Sequence, residues 1–142
     1  MINKQIQYWT QDGKNFSNAT LNTLYESIFL NYNKDWLMGD SEAEINYINN
    51  NKSIAGLKLI GIKKGIYIHY NGFNNEKISL YDKNSLNKNI IVLIDEIKIS
   101  LGLFLPIDLA WEVIKNFIDN GKPSNKITWL EIDDIPKNIN YL

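Results

Sequence analysis

The chain has 142 residues, 44% hydrophobic and 12% aromatic, and a net charge of −1, whereas a disordered chain is poor in apolar residues and strongly charged; one folded domain with its own core is expected. All fifteen basic residues are lysine, and nucleic-acid binders rely on clustered basic residues with arginine for bidentate contacts, so direct nucleic-acid binding is not expected. Cysteine is absent, which removes disulfides, thiolate catalysis and zinc–thiolate sites, and no apolar run approaches the ~20 residues of a membrane span, so a cytoplasmic location with no membrane partner is the simplest expectation.

From Lys4 to Trp9 polar and apolar residues alternate, which predicts a first strand closed by the turn Gln11-Asp12-Gly13. Leu21, Leu24, Tyr25, Ile28, Phe29 and Tyr32 then recur at helical spacing, predicting a helix over Asn18 to Tyr32 with Ser17 as N-cap and Phe16 stapled to Leu21. Between Asn33 and Ser53 two patterns compete. Ser41 to Glu44 matches a capping box for a short helix, while the residues around Ile45 and Tyr47 alternate as a strand does; the run Asn49 to Asn51 reads as a loop either way.

Leu57–Ile62, Ile66–Tyr70, Ile78–Tyr81 and Ile90–Ile99 are rich in β-branched and aromatic residues, and the short connections between them favour antiparallel neighbours. The last run changes apolar phase near Asp95-Glu96, which predicts a bulge or a bend. A second amphipathic helix starts near Pro106 to Asp108 and buries Ile107, Ala110, Trp111, Ile114, Phe117 and Ile118; Gly121 stands at the left-handed C-cap position, with Pro123 after it. Lys126 to Ile132 reads as a final strand, with Trp129 as a core residue. The fold class expected is α+β, a single domain over residues 1–142 with a mainly antiparallel β-sheet packed against two principal amphipathic helices.

Searches for chemistry end in exclusions. His69 is the only histidine, so it reads as a structural or edge-strand residue and not as a ligand. Asp82-Lys83-Asn84 opens like a calcium loop, but Leu86 takes a ligand position and Asn87 replaces the glycine. Gly56 to Gly61 has Walker-loop spacing with Ile62 where lysine should follow. No nucleophile motif accompanies His69, and Asp95-Glu96 and Asp133-Asp134 are strand or turn neighbours that form no shared acid–base pair. Hence no catalytic, cofactor-binding or metal residue is expected. What remains is a binding surface: Trp36 lies in a poorly patterned segment, and Asp35, Asp40, Glu42 and Glu44 make that region acidic, suited to a basic partner.

Leu105 to Trp129, LPIDLAWEVIKNFIDNGKPSNKITW, resembles the closing signature of the first-numbered immunity-protein family of bacterial polymorphic toxin systems. There a proline-started helix ends in a Phe-x-x-x-Gly-x-x-Pro-like turn followed by a strand carrying tryptophan; the matching positions are Pro106, Ala110, Phe117, Gly121, Pro123 and Trp129. The resemblance implies a non-enzymatic protein whose partner is the C-terminal effector domain of a cognate toxin, commonly a nucleic-acid deaminase or nuclease. The matched residues carry the fold and bring no contact residues with them. Acidic and aromatic loop positions suit a basic active site, so Trp36, Asp40, Glu42, Glu44, Phe73 and Glu76 are the contact candidates. A homo-oligomer is allowed but not indicated. An adaptor with another partner, or an enzyme whose deep pocket converges on His69 and nearby carboxylates, are the competing readings.

Overall fold

Period-two alternation recurs in separate segments of the chain, and in the computed structural model these build one large antiparallel sheet. The structure describes residues 4–10, 13–32, 42–63, 65–92, 97–137 and 139–141. The strands are β1 (Lys4–Trp9), β2 (Asn15–Phe16), β3 (Glu42–Asn49), β4 (Lys52–Ile62), β5 (Gly65–Gly72), β6 (Asn75–Leu80), β7 (Asn89–Val92), β8 (Ile97–Ser100), β9 (Phe104–Leu105) and β10 (Thr128–Glu131). The main sheet runs β10-β6-β5-β4-β3-β1-β2, with β9 also on β5; β7 and β8 form a separate hairpin. The class is the expected one: a single-domain α+β chain whose antiparallel sheet carries two principal helices on one face.

The undecided segment resolves over its described part as strand β3. Ala43, Ile45 and Tyr47 are buried and Glu44 is exposed, so alternation wins over the capping-box pattern. Asn50 and Asn51, both with positive φ (52° and 64°), turn the chain into β4 as asparagine does at little cost.

The first helix starts later than Ser17 predicts. Ala19 donates its N–H to the Ile6 carbonyl at 2.7 Å, tying the approach to β1, and Thr20 is the N-cap, its hydroxyl accepting the Thr23 N–H at 3.1 Å. Helix α1 (Leu21–Tyr25) runs directly into a π-helical turn over Glu26–Leu30. Leu24, Ile28 and Tyr32 are buried, but Phe16 and Leu21 are both exposed, and Phe16 stacks on Tyr8 with ring centroids 6.2 Å apart in place of the expected staple. Tyr32 is anchored by its hydroxyl, which donates to the carbonyls of Ile62 and Gly65; burial raises its pKa above the ordinary tyrosine value.

The run Ile90–Ile99 is not one bent strand. Its halves are β7 and β8, paired antiparallel with Ile90 opposite Ile99 and Val92 opposite Ile97, so the phase change marks a chain reversal. Asp95 and Glu96 themselves lie outside the described residues. Helix α2 (Ile107–Asn120) ends as predicted at Gly121, which is left-handed at φ 71° and donates its N–H to the Phe117 carbonyl at 2.7 Å. The final strand is shorter than predicted, because Ile132–Asp134 already curl into a 3-10 turn.

Both helices cover one sheet face over a core that includes Tyr8, Ile45, Leu57, Ile68 and Phe117. A second, smaller core with Ile60, Tyr67, Ile78, Leu103 and Phe104 fills one end of the opposite face. The two meet at a split: β5 pairs with β6 from His69 to Gly72 and with β9 at Ile66 and Tyr67. At the split, fully buried Ser79 accepts the Ile68 N–H at 3.0 Å and donates to the Leu103 carbonyl at 2.7 Å. A hydroxyl thereby replaces the missing ladder bonds.

Candidate functional site

Alternation that sends Ala43, Ile45 and Tyr47 to the helices turns Glu42, Glu44 and Asn46 the other way. Strand register aligns them with neighbours. Trp9, Glu44, Lys58, His69 and Ile78 lie opposite one another across β1, β3, β4, β5 and β6, and Gln7, Asn46, Gly56, Asn71 and Glu76 make the adjacent row. Where the second core ends, this polar part of the sheet is uncovered and forms an open groove of about 640 Å³.

Gly56 shapes its floor. A β-carbon there would stand 2.8 Å from Asn46 Oδ1, so the absence of a side chain leaves a notch into which Asn46 leans. Asn46 Nδ2 is committed to Gln7 Oε1 at 3.3 Å, which directs the acceptor end of the amide to the notch. At the rim, Phe73 is 89% exposed in the two-residue β5–β6 turn, beside Asn74 at φ 53°, and Ile54 is also exposed. An aromatic ring that solvated contributes almost nothing to the fold.

Lys58 pairs with Glu42 at 3.1 Å, and His69 donates from Nε2 to Glu76 Oε2 at 3.0 Å. Glu44 is exposed with no ion-pair partner among the described residues. Three carboxylates, Glu42, Glu44 and Glu76, share the groove with one lysine, Lys58, and with the His69 ring, so the groove is acidic although the whole chain is nearly neutral. A smaller depression shares Asn71, Gly72 and Glu76 and continues past Glu131 to Asp133, Glu131 being paired with Lys77.

Four of the six contact candidates, Glu42, Glu44, Phe73 and Glu76, thus line one groove; Trp36 and Asp40 lie outside the described residues. Sequence reasoning missed Asn46, Gly56 and Lys58 as members of this face. Of the two readings of His69, structural or edge-strand, the edge is ruled out, because it sits on the central strand β5 between β4 and β6. An enzyme reading asked for a deep pocket at His69; the histidine lies in an open groove. Among the described residues no three or more His, Asp or Glu side chains are grouped to hold a metal.

The signature residues gather on the opposite, helix-covered face. Pro106 is the N-cap of α2, and Ala110 and Phe117 are buried. Phe117 meets Tyr47 and Tyr70 edge-on at 6.2 and 6.1 Å. Tyr70 donates its hydroxyl to the Gly121 carbonyl at 3.1 Å and contacts the half-buried Trp129 at 6.4 Å, whose indole N–H reaches the Ser124 carbonyl at 2.7 Å. The helix stop, the turn and the tryptophan strand are therefore one packed unit that holds β10 against the sheet, and Trp129 sits at the margin of the core.

Fold and site together define an α+β domain with one sheet face sealed by helices and part of the other left open, polar and acidic. No protein-family model matches the chain, and no curated protein matches it. No helix among the described residues is long and apolar enough to cross a membrane.

Proposed function

We propose that the protein is an immunity protein that binds and neutralises the effector domain of a cognate bacterial toxin, acting in the cytoplasm without turnover. The observation that carries this reading is the assembly of Glu42, Glu44, Phe73 and Glu76, candidates scattered through the sequence, on a single open groove. An acidic concave face with a solvated aromatic rim suits a toxin surface that must itself attract nucleic acid and is therefore basic. The signature from Pro106 to Trp129 supports the same assignment by resemblance, and a deaminase or nuclease effector is the class it implies. Inhibition is steric and electrostatic: the groove covers the toxin's substrate-binding surface.

Affinity purification of the tagged protein from its native bacterium, with mass spectrometry of what co-purifies, tests the reading. Recovery of the C-terminal fragment of a large secreted toxin in near-equal amount is the expected result. A toxin expressed in those cells and absent from the eluate overturns it.

A further inference from the structure

We propose that the groove receives an extended segment of the partner protein carrying two cationic side chains four positions apart, one at each of two aromatic–carboxylate corners. This deepens the reading above and rests on its choice of contact face. The first corner is Trp9 with Glu44, which stand directly opposite each other on β1 and β3. Both are exposed, Trp9 at 42%. The second is Phe73 with Glu76 around the β5–β6 turn, where His69 occupies only Oε2 of the carboxylate. A guanidinium or ammonium beside such a pair gains both a charge-assisted hydrogen bond and attraction to the ring.

The space between the corners fits the same occupant. Lys58 would oppose a cation, but it is drawn aside to Glu42. Asn46 Oδ1, leaning over Gly56 with its Nδ2 held by Gln7, is an acceptor for a backbone N–H of the occupant. Across the strands the corners lie three inter-strand spacings apart, about 14 Å, and the Glu76 row is two residues, about 7 Å, further along them, so the corners are about 16 Å apart. An extended chain returns a side chain to the same face every second residue, so positions i and i+4 lie about 13 Å apart on one face, and two long cationic side chains splayed outward span the remaining few ångströms. Polyanions such as nucleic acid are disfavoured by Glu44 and Glu76, which no lysine among the described residues neutralises.

The test is NMR titration of the isotope-labelled protein with a capped Gly/Ser peptide carrying two arginines four positions apart, and with one carrying them side by side. Shifts centred on Asn46, Gly56, Asn71 and Phe73, with weaker binding of the side-by-side peptide, are expected. Glu44→Lys and Phe73→Ala, both exposed and so expected to fold, should each weaken binding by about two- to fivefold or more. Shifts spread evenly over other acidic sites such as Asp108 and Asp119, equal affinity for the two peptides, or unchanged binding by both variants each overturns the proposal. The same variants in the co-purification separate the two inferences. Toxin captured equally by wild type and both variants overturns the corners and leaves the immunity reading; a groove that binds the spaced peptide while wild type captures no expressed toxin does the reverse.

Discussion

Ser79→Ala should be among the most damaging single-atom changes in this fold. The substitution deletes one oxygen from a side chain that is fully buried where β6 parts from β5. That oxygen satisfies the Ile68 N–H and the Leu103 carbonyl together, and neither backbone group is placed to reach water. A buried polar group left without a partner costs about 1–3 kcal/mol, so two of them put the expected loss at about 2–6 kcal/mol. Most domains are stable by only about 5–15 kcal/mol. Urea denaturation followed by tryptophan fluorescence reads this directly. With a slope of about 2 kcal/mol per molar, the midpoint should fall by about 1–3 M at unchanged slope. A loss below about 0.5 kcal/mol would refute the reasoning, because it would mean that the split in the sheet is held by something other than this hydroxyl.

Two further substitutions probe the frame around the groove. Gly121→Ala places a β-carbon at φ 71° and 3.0 Å from the Tyr47 ring; the left-handed conformation alone costs about 1–2 kcal/mol, so a clearly lower thermal midpoint is expected, and an unchanged one rejects the account. Tyr32→Phe removes the hydroxyl that bonds the carbonyls of Ile62 and Gly65 and should cost about 1 kcal/mol at neutral pH. It should also alter the pH profile. Because burial raises the folded-state pKa of Tyr32, its contribution is complete below the ordinary tyrosine pKa of about 10 and is lost as pH rises above it. The wild type should therefore lose stability more steeply than Tyr32→Phe in urea titrations repeated from neutral to strongly alkaline pH, and parallel alkaline limbs would count against this.

How far the fold could be read in advance depended on whether local chemistry decided the matter. Gly121 and Pro123 stop a helix by their own backbone limits, and Lys4–Trp9 alternates without competitors, so both were legible. The start of α1 was not, since Ser17 and Thr20 are both good caps and the choice was made by a distant contact, the Ala19 N–H on Ile6. In Ile90–Ile99 periodicity alone cannot tell a bulge from a reversal when the turning residues are few. The groove was half legible. Glu42, Glu44 and Asn46 fall on one face only once the strand pattern is chosen over the capping box, which the sequence left undecided, and Lys58 stands opposite His69 only once the pairing of Ile62 with Gly65 is known. The notch was hidden, because a glycine in a strand says nothing of what leans over it until the register with Asn46 is known.

The alternation in β3 has a consequence for descent. Core volume is set by Ala43, Ile45 and Tyr47, while Glu42, Glu44 and Asn46 contribute to it hardly at all. Surface substitutions of this kind usually change stability by less than about 0.5 kcal/mol. The outward positions are thus free to change at little cost to stability while the inward ones are held by packing, and a single strand lets the two proceed side by side.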